Sequence, residues 1–216
     1  MQYILTRWSG RKVILGENVI DPTKPIQLLL GFHGAESTPE NMLIHGNLLK
    51  LNNTVMAFPE GFIDLEEGRF SWWEDGPKQN KTIKDFLENC DHLIDHANEH
   101  FQKKHPGQDI HISIWGFSQG ASAALIYALF GNCDTWKIAS ICGFLPELPH
   151  VPPNKKNRAK VFGIFGSNDE VVPAFLAEHA LDVMKSYGYD STILQTSQSH
   201  EIIEANLDEL TGFFKP

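Results

Sequence analysis

Apolar and polar positions along this chain fall into two textures. Short, largely apolar runs at Ile26–Phe32, Thr54–Phe58, Ile138–Phe144 and Val161–Phe165 read as buried strands, and Ile110–Trp115 reads as a further strand. Elsewhere apolar residues recur at helical spacing. Ile83, Phe86, Leu87, Cys90, Leu93, Ile94, Ala97 and Phe101 trace one face of a long helix ending before Pro106-Gly107. Ala121–Phe130 is apolar enough for a buried helix, and Pro173–Tyr187 reads as a helix closed by Gly188. Ser191–Gln195 then reads as a last strand and Ile202–Phe214 as a terminal helix. An earlier helix should begin at Ser37-Thr38-Pro39-Glu40, where a capping-box spacing meets a proline at a first helical position. Strands alternating with helices predict an α/β fold, a mainly parallel central sheet flanked by helices.

Two stretches break the pattern. Pro146–Arg158 holds four prolines and a small basic cluster, which predicts a surface connection. Glu60–Lys81 is the least regular segment and carries Arg69, Phe70, Trp72 and Trp73 among several acids. A loop of that length in a compact domain is more often functional than idle. With no internal repeat or linker, residues 1–216 are expected to form a single domain.

Composition narrows the partners. The formal charge of −9 lacks the basic footprint of a nucleic-acid protein and disfavours docking on anionic membranes. Cys90, Cys133 and Cys142 are too few and scattered for a disulfide framework or zinc site. The start shows no secretory signal, and no apolar run is long enough to span a bilayer. Gln2 excludes the myristoylation start, and Phe213-Phe214-Lys215-Pro216 carries no prenylation box. These readings predict a cytoplasmic protein without integral membrane association.

The chemistry centres on Gly116-Phe117-Ser118-Gln119-Gly120, a G-x-S-x-G motif placed after one predicted strand and before a predicted helix. In that turn the neighbours of the serine must be small, and the hydroxyl projects from the strand's carboxyl end. A serine needs a base, and the base needs an orienting acid. Downstream, Asp169 lies in the loop after Val161–Phe165, and His200 in the loop before the terminal helix. Both sit where an open parallel sheet gathers its active-site groups. Glu170 is the rival acid; Asp169 is preferred because the turn-forming Ser-Asn-Asp run holds it at the loop tip. For the oxyanion, the backbone N–H of Gln119 is one candidate donor and that of Ala35 the other.

Four further histidines are assigned structural places. His92, His96 and His100 share a helix face opposite the apolar stripe, read as solvated rather than metal-binding. His33 is read as a buried, hydrogen-bonded residue beside the oxyanion loop. His200-Glu201-Ile202-Ile203-Glu204 is not H-E-x-x-H and offers no zinc pair. Neither metal nor cofactor is expected.

LLLGFHGAES (28–37), GFSQGA (116–121), GSNDEVVP (166–173) and SHEI (199–202) together resemble the phospholipase/carboxylesterase family of small α/β-hydrolases, which includes acyl-protein thioesterases. Phe70-Ser71-Trp72-Trp73-Glu74-Asp75 is similar to that family's S-W-[FY]-D segment. The resemblance implies a minimal α/β-hydrolase fold without a separate lid domain. It also implies a Ser118-Asp169-His200 catalytic triad with the Ala35 and Gln119 amides as oxyanion hole. The implied activity is hydrolysis of carboxylic esters, thioesters or lysophospholipids through an acyl-enzyme. A small-molecule ester or acylated substrate is then the partner, with monomer or homodimer left open. Phe32, Phe70, Trp72 and Trp73 are candidate walls of an acyl pocket. The family often has H-G-x-G where Glu36 follows Ala35 here, so a carboxylate near the oxyanion loop is expected to influence acyl selection. Two other readings compete: a dienelactone-hydrolase-like lactonase or small peptidase, and a non-catalytic binding module on the same fold.

Overall fold

The computed structural model describes residues 2–18, 20–147 and 159–215. Strands β1 (Gln2–Trp8) and β2 (Arg11–Glu17) precede β3 (Ile26–Phe32), α1 (Pro39–Gly46) and β4 (Thr54–Pro59). A small hairpin of β5 (Ile63–Asp64) and β6 (Phe70–Ser71) follows, then α2 (Gln79–Lys104), β7 (Ile110–Phe117) and α3 (Gln119–Phe130). The chain closes with β8 (Lys137–Ile141), β9 (Lys160–Gly166), α4 (Ala174–Ser186), β10 (Asp190–Thr196) and α5 (Glu204–Phe214).

Eight strands form one sheet in the order β1-β2-β4-β3-β7-β8-β9-β10. From β4 to β10 neighbours run parallel, while β1 and β2 pair antiparallel at one edge. This is an α/β-hydrolase-like fold. Alternation along β3 shows how the core divides. Leu28, Leu30 and Phe32 face the layer built from α2, α3 and α4, whereas Leu29 faces Met56, Trp115 and the α1 and α5 side chains. Burial on both faces explains the largely apolar runs.

The sequence pattern finds the parallel strands to within a few residues and misses the antiparallel edge. β1 mixes exposed Ile4 and Leu5 with polar neighbours, so neither periodicity nor an apolar run announces it. β8 stops at Ile141 instead of reaching Phe144, because Cys142 takes φ +52°, which no strand accommodates. The first helix is capped by Thr38, whose Oγ1 accepts the Asn41 amide at 3.4 Å, one residue later than the capping-box spacing indicates. Most of the predicted surface connection, residues 148–158, lies outside the described residues. The three cysteines are free, and among the described residues no helix is long and apolar enough to cross a membrane.

For the site, alignment of the parallel strand ends matters most. Phe32 pairs with Gly116, Phe117 with Ile141, and Thr196 with Gly166. The loops after β3, β7, β8, β9 and β10 therefore leave the sheet at its carboxyl edge.

Candidate active site

Between the end of β7 and the first residue of α3 stands a single residue, Ser118, at φ +54° and ψ −121°. A non-glycine residue there costs on the order of 1–3 kcal/mol and persists only where its surroundings over-determine it. The two motif glycines supply that determination. A Cβ on Gly116 would meet the Gly120 carbonyl carbon at 2.3 Å, and one on Gly120 would meet the Phe32 carbonyl oxygen at 2.2 Å. The helix thus packs directly on the β3 and β7 backbones, and the Ser118 amide donates to the Ile141 carbonyl at 3.0 Å.

The loops bring the two distant candidates to this serine. His200 Nε2 lies 2.9 Å from Ser118 Oγ, and His200 Nδ1 lies 2.8 Å from Asp169 Oδ2. Asp169 is buried, and its second oxygen accepts the amides of Val171 and Val172 at 2.9 and 2.8 Å. Burial pushes this carboxyl upward, but hydrogen bonds from His200 and the two amides outweigh it and hold the group below its ordinary value. Glu170, the rival acid, is exposed. The Phe117 ring lies beside the imidazole, with centroids 4.8 Å apart.

A buried amide network holds the His200 loop. Gln198 Oε1 accepts Thr196 Oγ1 and Asn206 Nδ2, both at 2.8 Å, which turns its Nε2 toward the Glu201 carbonyl at 2.6 Å. Asn206 Oδ1 in turn accepts the Ile203 amide at the start of α5. Gln198 and Asn206 escape a sequence reading, since an isolated amide carries no motif; only the fold shows that they join the end of β10 to α5.

The loop that carries Ala35 also reaches the serine: a Cβ on Gly34 would stand 3.6 Å from Ser118 Cβ. The Gln119 amide opens α3, where no intrahelical acceptor exists, and the Ala35 amide donates to no group among the described residues. The Gln119 side chain accepts the Trp72 amide at 2.9 Å and donates to the Trp73 carbonyl at 3.2 Å. The Trp72 indole N–H donates to the His33 carbonyl at 2.7 Å. His33 is buried: its Nδ1 faces the Gly34 carbonyl at 2.7 Å, and its Nε2 accepts the Gly61 amide at 3.1 Å. That acceptor role requires neutral imidazole, and burial lowers its pKa to about 4 despite the opposing Gly34 hydrogen bond and Glu40 charge.

Glu36 occupies φ +51°, which accounts for the glycine often found there in the family it resembles. Its amide donates to Ser71 Oγ at 3.1 Å, and its exposed carboxylate meets Arg69 Nη1 at 3.4 Å.

The aromatic candidates are buried, and none of them lines the cleft beside His200. Phe32, Trp72 and Trp73 are at most 1% exposed and Phe70 is 9% exposed. Trp72 packs on Phe32 and His33 at centroid separations of 4.3 and 5.0 Å, filling space beneath the oxyanion loop. The cleft beside His200, about 330 Å³, is lined instead by His33, Ser37, Asn41, His45 and Glu201, with Met42, Phe117 and Ile202 as its apolar part. Asn41 and His45, contributed by α1, are isolated polar residues that no motif in the sequence marks as cleft lining. His92 and His96 are exposed on α2, and among the described residues they join no metal-ligating cluster.

The phospholipase/carboxylesterase family profile matches residues 16–215. No curated protein matches the sequence with significance. Among solved structures, a carboxylesterase from Mesorhizobium loti is similar at 18% identity and TM-score 0.76, covering 98% of this chain and 97% of that one. The Bacillus cereus carboxylesterase gives 15% identity and TM-score 0.76 over 94% and 92% of the two chains. A variant of Arabidopsis thaliana SOBER1 gives 17% identity and TM-score 0.68 over 88% and 97%. At these identities the structural likeness concerns the fold; with the profile spanning nearly the whole sequence, the chain belongs to the phospholipase/carboxylesterase family.

Proposed function

We propose that this chain is a single-domain serine hydrolase of carboxylic esters, with Ser118 as nucleophile, His200 as general base and acid, and Asp169 as orienting acid. The observation that carries the reading is the hydrogen-bonded line from Ser118 Oγ through both ring nitrogens of His200 to Asp169 Oδ2. His200 Nε2 takes the hydroxyl proton as Oγ attacks the substrate carbonyl, and the Ala35 and Gln119 amides receive the negative charge formed on the carbonyl oxygen. The same imidazole returns its proton to the leaving alcohol, or thiol in a thioester. It then deprotonates a water that attacks the acyl-enzyme, releasing the acid and free Ser118. Asp169 keeps the proton of neutral His200 on Nδ1 and stabilises the imidazolium, without being protonated itself. Every step is served by side chains and amides of this chain.

The mixed polar lining of the cleft favours short or oxygen-bearing groups over a long unbranched acyl chain. An ester panel tests this: short-chain p-nitrophenyl esters should give kcat/KM well above the palmitate, and the reverse order would refute the preference. For the chemistry itself, a fluorophosphonate probe should label Ser118, and the Ser118→Ala variant should lose both labelling and turnover. A folded, unlabelled wild-type protein would overturn the hydrolase reading and favour a binding module.

A further inference from the structure

Cys142 is fully buried at the carboxyl end of β8 and takes a left-handed φ of +52°. Its amide is fixed to the Ile164 carbonyl at 2.8 Å, so the backbone aims the side chain in one direction. In that direction stand the acid and the base: the Cys142 sulfur, an Asp169 carboxylate oxygen and a His200 ring nitrogen all lie within 4.8 Å of one another. Burial, and secondarily the Asp169 carboxylate, push the thiol up to about 12, so it carries its proton and is no competing nucleophile.

The hydrogen-bond directions around the sulfur can be worked out. Gln198 Oε1 is committed to two donors, Thr196 Oγ1 and Asn206 Nδ2, so the amide group facing the sulfur at 3.8 Å is Nε2, a donor. The sulfur is therefore the acceptor in that contact, and its own S–H needs a different acceptor. Asp169 supplies it. A carboxylate has room for about four donors, and this one holds three: Val171, Val172 and His200.

We propose that Cys142 is a positioning residue for the hydrolytic centre, its S–H serving as the fourth donor to Asp169 and fixing the plane of the carboxylate that orients His200. This rests on the serine-hydrolase reading above. The thiol competes with the imidazole for the same negative charge. It thereby limits how strongly Asp169 holds imidazolium, as well as where it holds it. The other ionisable groups near His200 are Glu201, exposed beside it, and His33 and His45 across the cleft.

Three readouts separate this role from simple core packing. In Cys142→Ala the acid limb of the kcat/KM profile moves to higher pH, because a carboxylate short of a donor holds the imidazolium more tightly. In the same variant kcat falls about tenfold with KM little changed, the scale of one lost hydrogen bond to a charged group. In Cys142→Ser a stronger donor of similar size restores kcat and returns the acid limb to the wild-type position or below it. The third readout needs no turnover: the downfield His200 Nδ1–H proton resonance, followed in the Ser118→Ala background, shifts in opposite senses for the alanine and serine variants. Variants that lose thermal stability while keeping kcat, acid limb and resonance would overturn the proposal, as would a serine variant indistinguishable from alanine. If fluorophosphonate labelling of Ser118 fails while the resonance shifts appear, the hydrolase reading falls and the Cys142–Asp169 hydrogen bond stands.

Discussion

Acidification should unfasten the oxyanion loop at His33 before it reaches the acids of the site. The neutral ring accepts the Gly61 amide and ties the Gly34-Ala35 turn to the loop entering β5. Once protonated, Nε2 becomes a donor facing a donor in a buried position. With a pKa near 6.5 when unfolded and about 4 when folded, the unfolded state binds more protons throughout that interval, so stability falls as pH drops. At pH 5 the unfolded histidine is nearly all charged and the folded one nearly all neutral, a difference of about 2 kcal/mol, reaching about 3 kcal/mol at pH 4. Above pH 7 the contribution vanishes. Urea denaturation from pH 7.5 to 5 measures the slope. Because burial also lowers His45 and His100, the comparison that isolates His33 is wild type against His33→Gln. The variant should be less stable at neutral pH and lose less on acidification, by about 2 kcal/mol at pH 5. Parallel curves for the two proteins, or a ring resonance of His33 titrating near pH 6.5 in the folded state, would refute the reasoning.

Other perturbations read other parts of the site. Gln119→Ala should cost about 2–4 kcal/mol in denaturant stability, since it leaves the buried Trp72 amide and Trp73 carbonyl without partners; a loss below 1 kcal/mol would show that water or a neighbour replaces it. Trp72→Ala should cost about 3–5 kcal/mol through the cavity it leaves, with acyl-length preference among soluble variants unchanged; a changed preference would restore Trp72 as a pocket wall. Glu36→Gly should raise stability by about 1 kcal/mol by relieving a left-handed glutamate, at the expense of only an exposed pair with Arg69; a clear loss in thermal unfolding would show that the ion pair outweighs the backbone. Asp169→Asn should flatten the acid side of the stability profile, because a carboxyl held below its ordinary value stabilises the fold at neutral pH and loses that contribution as pH falls through its folded value; an unchanged profile below pH 4 would count against the Asp169 hydrogen bonds.

The inner parallel strands were legible because burial on both faces leaves runs such as Ile26–Phe32 with little choice but mainly apolar side chains. Ser118 was legible because the elbow forces glycine at 116 and 120, and such steric demands write directly into sequence. The β1 edge was not, since its exposed Ile4 and Leu5 stand among polar neighbours and Trp8 is its only buried residue. Nor was the cleft lining. Its residues Asn41, Met42 and His45 all lie on α1, and of the three only Met42 is an apolar, buried position that a sequence pattern marks. A polar residue that faces substrate and one that faces water look alike along a sequence.

Much the same physics explains why the aromatic cluster is absent from the cleft lining and what it does instead. Large rings near a nucleophile suggest a greasy pocket, yet these rings are buried, and a buried indole N–H that finds an acceptor ties its ring to the backbone. Trp72 bonds the His33 carbonyl, while Gln119 bonds the Trp72 and Trp73 backbone from the opposite side. The two residues whose amides would meet the oxyanion, Ala35 and Gln119, are thus connected through buried tryptophan. A hydrophobic acyl pocket built from these rings would have to withdraw Trp72 from that connection and loosen the amides it positions. Rigidity of the amide pair and a deep aromatic pocket draw on the same side chain, and in this structure the side chain is committed to rigidity.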